Sequence, residues 1–113
     1  MRPIRVLVVD DSIMFRNMLV QGLNADPNIE VVAEAEDAYA ARDAIIKFKP
    51  DVMTLDVELP RMNGIEFLRR LMPQYPIPVV MISALNNKVF DALEAGAVDF
   101  VNKPSNLNRA QLT

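Results

Sequence analysis

Five side chains in this sequence could do chemistry together: Asp10, Asp11, Asp56, Ser83 and Lys103. Each follows a short strand-like stretch, Val6-Leu7-Val8-Val9 before the first pair, Val52 to Leu55 before Asp56, Val79 to Ile82 before Ser83, and Val98 to Asn102 before Lys103. Three carboxylates brought close cannot all ionise without a cation, because each raises the pKa of the others. Oxygen donors without nitrogen or sulfur point to Mg²⁺, which keeps several waters and needs only one or two protein carboxylates. Asp11 and Asp56 are the expected direct ligands, with Asp10 acting through water. A carboxylate beside such a cation, a lysine and a hydroxyl is equipped to accept a phosphoryl group. Asp56 is the natural nucleophile, forming an acyl phosphate. Lys103 would bridge Asp56 and later the phosphoryl group, and Ser83 would hydrogen-bond a phosphoryl oxygen.

Taken singly, each of these residues has a plainer reading. Asp10-Asp11 could be a helix N-cap pair, Asp56 a solvated turn residue, Ser83 a turn former and Lys103 a charged strand end. Their shared position at strand tips favours a site over four coincidences. Phe100, inside the last of these stretches, reads as core, and an aromatic there could also switch between buried and exposed positions when Ser83 moves.

The elements that must position them follow from the pattern. Arg5 to Val9 is a continuous apolar, β-branched run, as in a strand covered on both faces. Ser12 can cap a helix with Phe15, Met18, Leu19, Gly22 and Leu23 along one face. Ile29 to Ala35 reads as a strand near the sheet edge, because Glu30 and Glu34 interrupt it. Asp37 can cap a second helix bearing Ala41, Ala44, Ile45 and Phe48, which Lys49-Pro50 stops. Val52 to Leu55 then delivers Asp56 at its tip. A third helix carries Ile65, Leu68, Leu71 and Met72 inward, and Pro73, Pro76 and Pro78 stiffen the crossover into the fourth strand. Asn86 or Asn87 starts a short fourth helix that closes at Gly96, before the strand Val98 to Asn102. Strands alternating with helices predict an α/β fold, a doubly wound five-stranded parallel sheet of the flavodoxin-like kind with strand order 2-1-3-4-5. In that order the tips of strands one, three, four and five border one crevice.

The 113 residues suffice for one domain, and 51% apolar residues fill its core. A formal charge of -3 with scattered Lys and Arg argues against nucleic-acid binding by this segment. The absence of cysteine and histidine removes thiol nucleophiles, disulfides, Ser-His-Asp chemistry and ordinary zinc sites. No apolar run reaches the length of a membrane span and no signal peptide begins the chain, so a cytoplasmic location is expected. Ser105 to Thr113 is too short for a closing helix of three turns. That predicts a domain over 1–104, with 105–113 as the start of a closing helix or a linker to an absent output domain. The sheet face left uncovered predicts that the fragment can form a homodimer.

Val8-Val9-Asp10-Asp11-Ser12, Leu55-Asp56 with Pro60 and Gly64, Met81-Ile82-Ser83-Ala84, Gly96-Ala97-Val98-Asp99-Phe100 and Lys103-Pro104 resemble the receiver domain of two-component response regulators. The resemblance covers nearly the whole chain. It implies phosphorylation of Asp56 by a histidine kinase, Mg²⁺ dependence, a cis bond between Lys103 and Pro104, and a signalling face near strands four and five. It also implies that the backbone carbonyl of Glu58 binds Mg²⁺, with a side chain that could reach the metal or hinder an attacking water.

Within that family, Thr54 to Gly64 and Ala97 to Pro104 are similar to the N-terminal receiver of chemotaxis protein-glutamate methylesterases. This implies a chemotaxis kinase as phosphoryl donor and a C-terminal esterase domain, outside this chain, that the receiver blocks until phosphorylated. The region between Ser83 and Lys103 is shorter than the family pattern, so a truncated fourth helix is expected. Two other readings compete. One is a receiver controlling a different output, such as a DNA-binding domain. The other is an Asp-nucleophile phosphatase resembling the haloacid dehalogenase-like enzymes. These place an aspartate two residues after the nucleophile, where this chain has Glu58.

Overall fold

The computed structural model describes residues 2–103. The expectations for 105–113 and for the Lys103–Pro104 bond lie outside the described residues. The chain runs β1 (Ile4–Val9), α1 (Ile13–Asn24), β2 (Ile29–Ala35), α2 (Ala38–Phe48), β3 (Val52–Asp56), α3 (Gly64–Leu71), β4 (Val79–Ser83), a 3-10 turn (Asn86–Lys88), α4 (Val89–Ala95) and β5 (Asp99–Asn102). The five strands form one sheet in the order β2-β1-β3-β4-β5, and every pairing is parallel. This is the doubly wound, flavodoxin-like arrangement expected from the alternation of strands and helices, with β2 at an edge.

The period of two along each strand divides its side chains between two faces. Leu7, Val9, Met53, Leu55, Val79 and Met81 point to one layer and are almost fully buried there. Ala41, Ala44 and Ile45 of α2, Ile65, Phe67, Leu68 and Leu71 of α3, and Ala92 of α4 close over them. Burying Leu68, one of the inaccessible side chains, is worth about 2 kcal/mol. The α1 side differs. Of the predicted stripe on α1 only Phe15 is buried; Met18 is 39% exposed and Gly22 faces solvent. Among the described residues α1 contributes nothing to the larger core cluster, so its apolar stripe stays partly uncovered.

Local signals set the helix starts. The side chains of Ser12, Asp37 and Asn63 accept hydrogen bonds from the amides of Phe15, Ala40 and Glu66, satisfying donors that the first helical turn leaves free. Gly96 ends α4 with φ of 122°, a conformation that side chains rarely adopt. Gly64 is required for space instead: a Cβ there would overlap the backbone carbonyl of Asp56. The loop leaving β3 therefore folds tightly back on the carboxylate-bearing tip, and the Gly64 amide donates to the Val57 carbonyl at 2.7 Å. The fourth helix is short, as the sequence predicts, with seven residues. No helix among the described residues is long and apolar enough to cross a membrane.

Candidate functional site

Parallel pairing brings the tips of β1, β3 and β4 together: Val9 lies beside Leu55, and Asp56 beside Ile82. The residues just past those tips share one end of the sheet. Asp10 is 2% exposed and Asp56 is 3% exposed. Burying two carboxylates is costly unless each finds donors, and both do. Asp10 Oδ1 accepts the Ser12 amide at 2.8 Å, and Asp56 Oδ1 accepts the Glu58 amide at 3.1 Å. Lys103 Nζ lies between their other oxygens, 2.8 Å from Asp10 Oδ2 and 3.2 Å from Asp56 Oδ2. Asp11 is exposed on the rim. One carboxylate oxygen from each of Asp10, Asp11 and Asp56 lies within 4.8 Å of the others.

The electrostatics are unbalanced. Burial pushes the Asp56 carboxyl up to about 6, with help from the charge on Asp10, against the Glu58 amide and the Lys103 ammonium, which favour the charged form. For Lys103, burial acts to lower its pKa, but the hydrogen bond to Asp10 and the charges of Asp56 and Asp10 outweigh it and raise the value. One ammonium thus serves a group of three acids. The excess negative charge, the oxygen-only donors and their spacing fit a hard divalent cation of the Mg²⁺ type.

The remaining predicted residues sit differently. Ser83 is fully buried, and its hydroxyl accepts the Leu85 amide at 3.0 Å. Its carbonyl accepts the Lys103 backbone amide at 2.8 Å, which ties the serine and lysine positions together. The Glu58 side chain is exposed and stands outside the carboxylate group, while its backbone amide holds Asp56. Phe100 is half-buried against the core beside Met81.

Two further residues bear on the site. Phe15 presents its ring to Lys103, with Nζ 4.4 Å from the ring centroid. The one sequence signal for it is an apolar residue in the first turn after the Asp10-Asp11-Ser12 tip. Arg61, in the loop after Asp56, has φ of 69° and pairs with the buried carboxylate of Asp37. Asp37 is held below the usual carboxylate range chiefly by the Ala40 amide, with Arg61 adding to the effect against burial. No spacing in the sequence signals that pair, because it joins two loops distant in the chain.

Comparison with known proteins agrees with this geometry. The family described as "Response regulator receiver domain" matches residues 6–112. A protein-glutamate methylesterase/protein-glutamine glutaminase of Syntrophomonas wolfei is 70% identical over 110 residues, covering 96% of this chain and 32% of the relative. The chain thus spans about a third of the length of the curated relatives it matches. The crystal structure of the response regulator domain of Thermotoga maritima CheB has a TM-score of 0.86 and 42% identity, covering 92% of this chain and 81% of that one. The structure of the P1 domain of CheA3 in complex with CheY6 from R. sphaeroides matches with a TM-score of 0.80 and 32% identity, covering 93% of this chain and 85% of the other. With its buried acids at the strand tips and these matches along nearly its full length, the chain belongs to the response regulator receiver domain family, as a regulatory module of the CheB type.

Proposed function

We propose that Asp56 is the phosphoryl acceptor of a chemotaxis switch. The observation that carries this reading is the Lys103 ammonium bridging two buried carboxylates, with a third carboxylate at the rim. An Asp56 oxygen attacks the phosphorus of a phosphohistidine on the donor kinase. The P–N bond breaks as the P–O bond of the acyl phosphate forms, and the imidazole leaves with a proton from solvent. With its pKa at about 6, Asp56 is mostly ionised at neutral pH and able to attack. Lys103 is placed to follow the charge from the carboxylate to the phosphoryl oxygens. Asp10, Asp11, Asp56 and the backbone carbonyl of Glu58 would hold Mg²⁺, which supplies charge neutralisation on the transferring phosphoryl group.

Ser83 completes the switch. Its hydroxyl accepts the Leu85 amide and keeps its own O–H free to donate to a phosphoryl oxygen, so a turn of the serine toward the phosphoryl group would pull on the start of the turn before α4. Phe100, packed beside β4, would respond to that movement. The output is a protein-glutamate methylesterase domain in the same polypeptide, supported by relatives that extend well beyond the matched third. The donor is a chemotaxis-type histidine kinase, supported by the likeness to the CheA3–CheY6 complex. Both proposed partners support a cytoplasmic location.

Intact mass after incubation with acetyl phosphate and Mg²⁺ tests the central claim. The native chain should gain one phosphoryl group, and Asp56→Asn or a chelator should abolish the gain. An adduct that persists in Asp56→Asn would overturn the assignment.

A further inference from the structure

Lys103 has three N–H donors, and the carboxylates of Asp10 and Asp56 take two of them. Among the described residues no oxygen is recorded for the third. The face of the Phe15 ring lies there instead, 4.4 Å from Nζ to the centroid. Phe15 is 6% exposed and is the only buried residue of α1, yet among the described residues it lies outside the main hydrophobic cluster. Its amide is fixed by the Ser12 hydroxyl at 3.2 Å, so the ring is carried by the first turn after the Asp10-Asp11 tip.

We propose that Phe15 is a positioning residue that holds the Lys103 ammonium over the crevice while its ionic partners change. The inference rests on the reading of Asp56 as phosphoryl acceptor. The lysine leans on Asp10 and Asp56, the two carboxylates that a cation would also require. When the charge of Asp10 is claimed by a cation, that contact to the ammonium weakens. As Asp56 becomes an acyl phosphate, its charge moves onto the phosphoryl oxygens. The π face alone is neither a metal ligand nor a reactant, so it attracts the ammonium equally throughout. Without it the flexible four-carbon stem is free to carry Nζ out to water during the exchange. The ring thereby saves the transferring phosphoryl group the wait for its counter-charge.

Progressive fluorination of the Phe15 ring weakens its π face while nearly preserving its shape, and separates this role from packing. In the 113-residue chain, the initial rate of Asp56 phosphorylation by acetyl phosphate at saturating Mg²⁺ should fall steadily across the mono-, di- and pentafluoro series. The full decrease should be about tenfold, the size expected for a partly desolvated cation–π contact. Phe15→Leu should show a similar loss. The Lys103 ε-methylene protons should show an upfield ring-current shift in the native chain that disappears in Phe15→Leu. Equal rates across a folded fluorine series, or unshifted ε-methylene protons in an active native chain, would overturn the role of Phe15 alone. A native chain that takes up no phosphoryl group would overturn the reading of Asp56, and this role with it.

Discussion

Helices α3 and α4 follow adjacent strands, yet they are held to the molecule very differently. α3 begins at an asparagine cap, buries Ile65, Phe67, Leu68 and Leu71, and starts where Gly64 touches the Asp56 carbonyl. α4 has no side-chain cap and buries only Ala92, while Phe90 is 74% and Leu93 46% exposed. Asp56, the proposed phosphoacceptor, therefore sits at the foot of a deeply packed helix, and the Ser83 hydroxyl at the foot of a shallow one. Elements that shift in regulation are drawn from the less stable parts of a fold. Anchoring Asp56 while leaving its neighbour lightly held would keep the proposed chemistry in register and concentrate movement on the α4 side.

Several substitutions break or sharpen that contrast. Leu68→Ala removes an inaccessible side chain from beneath α3 and should cost about 3 kcal/mol of unfolding free energy, read from the denaturant midpoint. A cost no greater than that of an α4 surface change would erase the distinction between the helices.

The anchored side also stores electrostatic cost. Asp56 has its folded-state pKa raised to about 6 from 3.8 by burial, so the native chain binds the proton more tightly than the unfolded chain does. In metal-free buffer stability should fall as pH rises from about 4 to 6, by about 2 kcal/mol after allowance for solvent screening, and stay low above that. Asp56→Asn should lack this decline and be the more stable form at pH 8, with the difference closing below pH 4. Identical pH profiles for the two chains would show that the carboxylate carries no such cost. Added Mg²⁺ should stabilise the native chain more at pH 8 than at pH 5, because the proton competes with the cation.

Smaller effects test the loop between the two helices' strands. Arg61→Ala loses the pairing with Asp37 and retains a strained φ, at a cost of about 1 kcal/mol. Arg61→Gly loses the same pairing and relieves the backbone, so its cost should be about half as large. The reverse order would mean that the positive φ carries no strain. At the bottom of the scale, Phe90→Ser on α4 should change stability by less than about 0.5 kcal/mol in thermal denaturation.

Much of the fold is written locally. Val6 to Val9, Val52 to Leu55 and Val79 to Ile82 are apolar runs ended by a polar residue, which is how a strand buried on both faces delivers a side chain to its tip. The convergence of Asp10, Asp56 and Lys103 follows once the strand order is inferred. What sequence alone conceals is orientation and tertiary partnership. Periodicity cannot say that Met18 stays partly exposed, since that depends on what covers α1. Composition cannot say that the Ser83 hydroxyl turns to Leu85, that Glu58 extends away from the acids, or that Arg61 crosses to Asp37. Each is decided by a neighbour distant along the chain or by a rotamer choice.

The backbone bond from Lys103 to the Ser83 carbonyl makes the distance between these two residues a matter of ladder rungs rather than of chain length. The segment from Ala84 to Val98 can change length without moving this pair, provided that Ala92 and Ala97 keep their places in the core and β5 re-enters the sheet in the same register. A chain with a short α4 can therefore keep the same crevice while presenting a different outer surface. A peptide or reporter inserted at Asn87 and Lys88 would accordingly leave the carboxylate crevice in place and change the surface that the domain displays on its α4 side.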